Sequence, residues 1–126
     1  MPRSRQLTVA MLVARIGYAA VLIVAPARWT ERWLGPHVQQ APTQVALRAL
    51  GVREGVLHVG ALAAALRGRP VRPWLVASMV GDLSDIAATA RGRDGLPDGA
   101  VTATAVVAGG SALLTAAAAV ADDHGA

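Results

Sequence analysis

Asp82 and Asp85 lie three residues apart inside an otherwise uncharged run, residues 73–90. Carboxyls at that spacing project from one face of a helix. Where one holds a proton and the other is ionised, such a pair can work as general acid and base. Glu54 supplies a third carboxylate from a second apolar run. These three are the candidate catalytic residues. Arg15, Arg48 and Arg53 also interrupt apolar runs. A guanidinium there can anchor a carbonyl or anionic group, so the arginines are candidate substrate-binding residues, together with His58 and Tyr18. A plainer assignment stands beside this one: the carboxylates form a structural ion-pair stripe and the arginines are their counter-ions. Glu54 and His58 are four apart, but there is no cysteine and no H-E-x-x-H motif. No metal and no cofactor is therefore expected.

The elements that must position these residues are four apolar segments separated by Pro, Gly and Arg. They run over approximately 7–25, 43–66, 73–90 and 98–121. Each approaches the roughly 20 helical residues that cross a bilayer core of about 30 Å. Pro73 suits a first helical turn, and Asp98 suits an N-cap. Residues 99–121 hold no charge at all. Trp29, Trp33 and Trp74 fall just outside or at the start of segments, where interfacial tryptophan is expected. Residues 29–34 suit a short helix lying in the interface. The fold expected is all-α, a four-helix transmembrane bundle forming one integral membrane domain over residues 1–126.

Composition agrees. The chain is 54% hydrophobic but only 3% aromatic, with no Phe and 13 glycines. Small residues let membrane helices approach closely. All 12 basic residues are arginine and the net charge is +4. They sit at helix ends or inside apolar runs rather than on a basic face interleaved with aromatics, which argues against nucleic acid. Arg3 and Arg5 before an apolar run imitate a signal peptide, but Arg15 interrupts that run and Pro26 sits badly at a cleavage site. Arg3, Arg5, Arg67, Arg69 and Arg72 share one side, against Arg28, Arg32, Arg91 and Arg93 on the other. That balance places both termini in the cytoplasm, in a multi-pass protein of the cell membrane. Asp122, Asp123 and His124 read as a disordered tail.

Six ionisable residues then fall inside the spans: Arg15, Arg48, Arg53, Glu54, Asp82 and Asp85. Each costs roughly 2.5–3.5 kcal/mol at the centre of an isolated helix, so six unpaired would cost about 15–20 kcal/mol. Pairing is close to a condition for the fold, and three positive with three negative residues sum to zero. Helix depth puts Arg15, Arg53, Glu54 and Asp82 at one level, with Arg48 and Asp85 toward one surface. The pairs expected are Arg48 with Asp85, and Asp82 with Arg15 or Arg53. On the second segment Arg48, Gly51, Gly55, His58 and Leu62 share a face, with Glu54 at its edge and Arg53 pointing away. Gly51 and Gly55 form a G-x-x-x-G step suited to close helix packing within the bundle, and alternatively to a homo-oligomer.

The run Arg48-Ala49-Leu50-Gly51-Val52-Arg53-Glu54-Gly55, followed by Gly81-Asp82-Leu83-Ser84-Asp85, resembles a group of small bacterial four-helix membrane proteins. Those proteins carry R-x-x-G-x-R-[DE] on the second helix and an aspartate on the third. The Ala- and Arg-rich composition resembles that of high-GC actinobacterial chains. The resemblance implies a four-helix membrane fold and brings no activity. Two functions follow from the residues. One is a cofactor-independent acid–base enzyme acting on a lipophilic small molecule by cyclisation, isomerisation or epoxide opening. The other is a non-catalytic membrane subunit, small carrier or assembly partner held together by ion pairs.

Overall fold

Proline and glycine cut the chain where the sequence suggests. The computed structural model describes residues 1–124, which form five α-helices and no strand. These are α1 (Arg3–Val24), α2 (Pro26–Leu34), α3 (Ala41–Leu66), α4 (Arg72–Arg91) and α5 (Ala100–His124). α1 stops because Pro26 cannot donate the next backbone hydrogen bond, and Pro26 then serves as the first residue of α2. α3 closes in a Schellman turn. The amide of Arg69 reaches the Ala64 carbonyl at 2.9 Å and that of Gly68 reaches Ala65 at 3.2 Å. Gly68 takes φ +67° there, which a side chain would oppose.

Three helices, α1, α3 and α5, are long and apolar enough to cross a membrane. At 20 residues α4 is about 30 Å long, but Asp82 and Asp85 keep it less apolar. α2, with nine residues, is too short to cross. Two sequence expectations change here. Gly99, with φ +83°, takes the position directly before α5, so Asp98 stands one residue short of it. The helix also continues through the expected tail to His124. The Asp122 carboxylate accepts the amide of Val71 at 3.1 Å, pinning the end of α5 to the start of α4.

α1 packs along α3 and α4 along α5; the two pairs meet through α3 and α4, while α1 and α5 touch only slightly. Close approach of α1 and α3 rests on Gly51. A Cβ there would lie 2.9 Å from the Ala19 carbonyl oxygen. The G-x-x-x-G step is thus used inside the chain. Gly60 leaves room for the ring of Trp74, which a Cβ would overlap.

The buried apolar residues form two separate clusters. Leu12, Ala61, Ala64, Ala65, Val71, Leu75 and Ala119 gather toward one end. Leu22, Val38 and Leu47 gather toward the other. Leu12 and Leu22 are ten residues apart on α1, or about 15 Å. Into the gap between them the fold brings its charges.

Candidate functional site

Each charged residue in the gap sits near the middle of its helix. Arg15 is the thirteenth of 22 residues in α1, Glu54 the fourteenth of 26 in α3, and Asp82 the eleventh of 20 in α4. Arg15 donates from Nη1 to Asp82 Oδ2 at 2.9 Å and from Nη2 to Asp82 Oδ1 at 2.7 Å. Nη2 also reaches Glu54 Oε2 at 3.0 Å. The fork-on-carboxylate geometry with Asp82 is the strongest form of this pair. Asp82 and Glu54 are each only 2% exposed. One guanidinium therefore joins α1, α3 and α4.

Arg53 makes the second pair. Its Nη2 lies 3.1 Å from both carboxylate oxygens of Asp85 and 3.6 Å from Glu54 Oε1. The expected Arg48–Asp85 pair does not form. Arg48 donates instead from Nε to the carbonyl of Ile23, at 3.2 Å, on the exposed end of α1. That carbonyl belongs to the last turn of α1, which has no further helical amides to bind it, and a cation is favoured there. The face assignment on α3 is corrected accordingly. Its inward residues include Leu47, Gly51, Glu54, His58 and Ala61, so Glu54 is central and Arg48 exposed. Arg53 starts away from the interior but lies across α4 at Gly81, where an added Cβ would stand 3.4 Å from Arg53 Nη2. Long stem and absent side chain together bring its charge to Asp85.

His58 is buried beside this network. Its Nδ1 stands 2.6 Å from the Glu54 carbonyl oxygen, which can only accept, so Nδ1 carries the proton. Nε2 of the neutral ring then accepts from the Ser78 hydroxyl at 2.9 Å. Glu54 Oε2 lies 3.4 Å from Nδ1. Ser78, Asp82 and Thr89 are buried on one face of α4 with Asp85 beside them. Tyr18 does not join the ion-pair network and lies 45% exposed.

Beside the network, where α1 and α5 hardly touch, is a cleft of about 610 Å³. That is within the usual range for a small-molecule site. Arg15, Glu54, Asp82 and Asp85 contribute to its lining from below, while α1 and α5 give walls that include Met11, Val107 and Leu114. Trp29, Thr30 and Trp33 of α2 close one end. Trp33 Nε1 donates to Thr104 Oγ1 at 2.7 Å, which fixes α2 against α5. Tyr18 lines the same cleft. Val107 and Leu114 are 69% and 64% exposed, so the wall continues onto the outer surface of the bundle. Sequence could not pair Trp33 with Thr104, since 71 residues separate them. Nor does any residue pattern mark the gap between α1 and α5.

Dropping Arg48 from the network alters its charge. Three carboxylates face two guanidiniums, so with His58 neutral the sum is −1, not zero. Oxygen atoms of Glu54, Asp82 and Asp85 lie within 4.8 Å of one another, a grouping able to hold a metal ion by spacing alone. Hydrogen bonds from Arg15 and Arg53 already occupy these carboxylates, which makes them poor metal ligands. The side chain of Asp85 is 29% exposed, against 4% for Asp82 and 2% for Glu54. Asp85 is the carboxylate a molecule in the cleft can reach. Compared with protein families, curated proteins and solved structures, the chain matches none.

Proposed function

We propose that this chain is a multi-pass membrane protein of the cell membrane whose cleft performs acid–base chemistry on a lipophilic molecule. In this reading α4 is a fourth span. Its two aspartates are tolerated because Arg15 and Arg53 neutralise them. α2, with Trp29 exposed and Arg28 stacked 5.9 Å over its ring, lies at the membrane surface. Both termini are cytoplasmic, and the chain belongs with the small bacterial four-helix proteins that its Arg48–Gly55 segment resembles.

One observation carries the reading: a cleft of small-molecule size has apolar walls running to the outer surface and a charged floor at mid-helix depth. A hydrophobic substrate would enter sideways from lipid and meet Asp85. The network as a whole has one carboxylate more than it has guanidiniums, and a proton on Asp85 would cancel the excess charge. Asp85 then delivers a proton to an oxygen or alkene of the substrate and takes one back from a neighbouring atom. Isomerisation and cyclisation need nothing more, and no cofactor is involved. Asp82, gripped by both terminal nitrogens of Arg15, is a positioning residue, and Glu54 shares the charge.

The non-catalytic alternative, a membrane subunit or carrier, rests on a specific observation too: Arg15 spends both terminal nitrogens, and Arg53 its Nη2, on protein carboxylates rather than on the cleft. Incubation with the lipophilic extract of the source membranes separates the two, with products followed by chromatography and mass spectrometry. Asp85→Asn should remain folded in the membrane and lose conversion of a compound that the unmodified protein rearranges. If the unmodified protein converts nothing, and Asp85→Asn and Asp82→Asn both fail to accumulate in the membrane, the charges are structural. Recovery of the chain in solution without detergent would refute the membrane reading.

A further inference from the structure

The cleft offers its occupant an unequal choice of charge. Both terminal nitrogens of Arg15 are bound to Asp82 and Glu54, and Nη2 of Arg53 to Asp85. Among the charged side chains on the lining, the most exposed is the carboxylate of Asp85. The other polar side chains on the lining are neutral: Tyr18, Thr104 and Ser111 among them. No charged side chain of α5 lines the cleft among the described residues. The charged and titratable groups of the network that holds Asp85 are Arg15 from α1, Arg53, Glu54 and, behind Glu54, His58 from α3, and Asp82 on its own helix, with Tyr18 on the same lining. Their formal sum, Asp85 included, is −1 with His58 neutral.

We infer that the cleft binds a lipophilic monocation, an amine or quaternary ammonium with apolar substituents, in exchange for one proton held on the carboxylate network. This rests on the cleft being a ligand site, as proposed above, and adds the charge of the ligand. A proton and a monovalent cation each bring the network to zero, so the two compete. The apolar walls solvate the substituents, and the aromatic rings of Trp33 and Tyr18 on the lining suit a cation better than an anion. A lipophilic anion would raise the buried charge to −2.

Two ions of nearly equal shape and opposite charge test this: tetraphenylphosphonium and tetraphenylborate. Each is titrated by equilibrium dialysis against the full chain in neutral-lipid nanodiscs, with empty nanodiscs subtracted. The expected result is at least about a tenfold preference for the cation. Its affinity should fall about tenfold per pH unit on acidification while the empty network holds its proton. Asp85→Asn, which makes the network neutral without a proton, should lose both the preference and the pH dependence. Arg53→Gln, checked for helix content, should strengthen cation binding, because it leaves the network at −2 before any proton binds. Equal binding of the two ions, or preference for the borate, overturns the monocation while leaving a ligand cleft in place. Binding of neither ion, by a chain shown to be folded, overturns the cleft as a ligand site as well.

Discussion

Arg15→Gln tests the geometry of the network more directly than any other substitution. Arg15 donates three hydrogen bonds, two to Asp82 and one to Glu54. Both acceptors are 2% exposed. Glutamine is shorter, carries no charge and cannot bridge three helices. Its introduction leaves two buried carboxylates without their shared cation and moves the network from −1 to −2. Breaking a buried pair from one side costs about 3–5 kcal/mol, which is a fall of roughly 100- to 5,000-fold in the folded-to-unfolded ratio. Some of that is recovered if a carboxylate protonates, so the lower figure is the safer expectation. Reversible unfolding in mixed detergent micelles, followed by tryptophan fluorescence, reads the change. Arg48→Gln is the internal control, because Arg48 is exposed and bonds only a terminal carbonyl; it should cost within about 0.5 kcal/mol. A double substitution, Arg15→Met with Asp82→Leu, should recover part of the loss, since apolar replacement of a whole pair is often neutral. If Arg15→Gln costs no more than Arg48→Gln, Arg15 does not join α1, α3 and α4 as described.

Gly51→Ala should destabilise by about 1–3 kcal/mol in the same assay, because the new methyl meets the Ala19 backbone at 2.9 Å and α1 must move from α3. Gly17→Ala, with nothing within 4 Å of the added carbon, should be neutral or gain up to about 1 kcal/mol. Asp122→Ala removes the acceptor of the Val71 amide and should cost about 0.5–1.5 kcal/mol, with faster hydrogen exchange at the start of α4. Trp33→Phe removes the hydrogen bond to Thr104. It should leave global stability within about 1.5 kcal/mol while increasing spin-label mobility on α2; unchanged mobility would show that this bond does not hold α2 over the cleft.

Helix limits were legible because Pro26, Pro42, Gly68, Pro70 and Pro73 act locally, through missing donors and permitted dihedrals. Charge depth was legible for the same reason: once the ends are known, Arg15, Glu54 and Asp82 fall at mid-helix by counting. Depth left Asp82 a choice of Arg15 or Arg53, and the structure selects Arg15. Rotation of α3 was harder. An apolar run rich in small residues has no strong facing preference, and one residue of error turns a helix by 100°. The expected face put Arg48 inward; the observed one puts Glu54 there and Arg48 on the carbonyl end of α1. Arg53 defeated a face argument altogether. Its side chain is long enough to lie across α4, and only the absence of a Cβ at Gly81 leaves it room. Such a path depends on the neighbour's surface, which no reading of α3 alone contains.

That single rotation changes the chemistry. With Arg48 inward, three guanidiniums would match three carboxylates, and the network would be a closed structural clasp with no reason to bind a proton. With Arg48 outside and His58 neutral, the network carries one negative charge more than its guanidiniums balance. Burial makes that charge costly, and a counter-charge entering the cleft would offset it. Function and structure then divide between the two aspartates. Asp82, forked by Arg15 and only 2% exposed, holds helices together. Asp85, bound by a single nitrogen of Arg53 and partly open to the cleft, is the group free to exchange. A role for this protein beyond its own cohesion therefore stands or falls on Asp85, and not on the acidic pair as a unit.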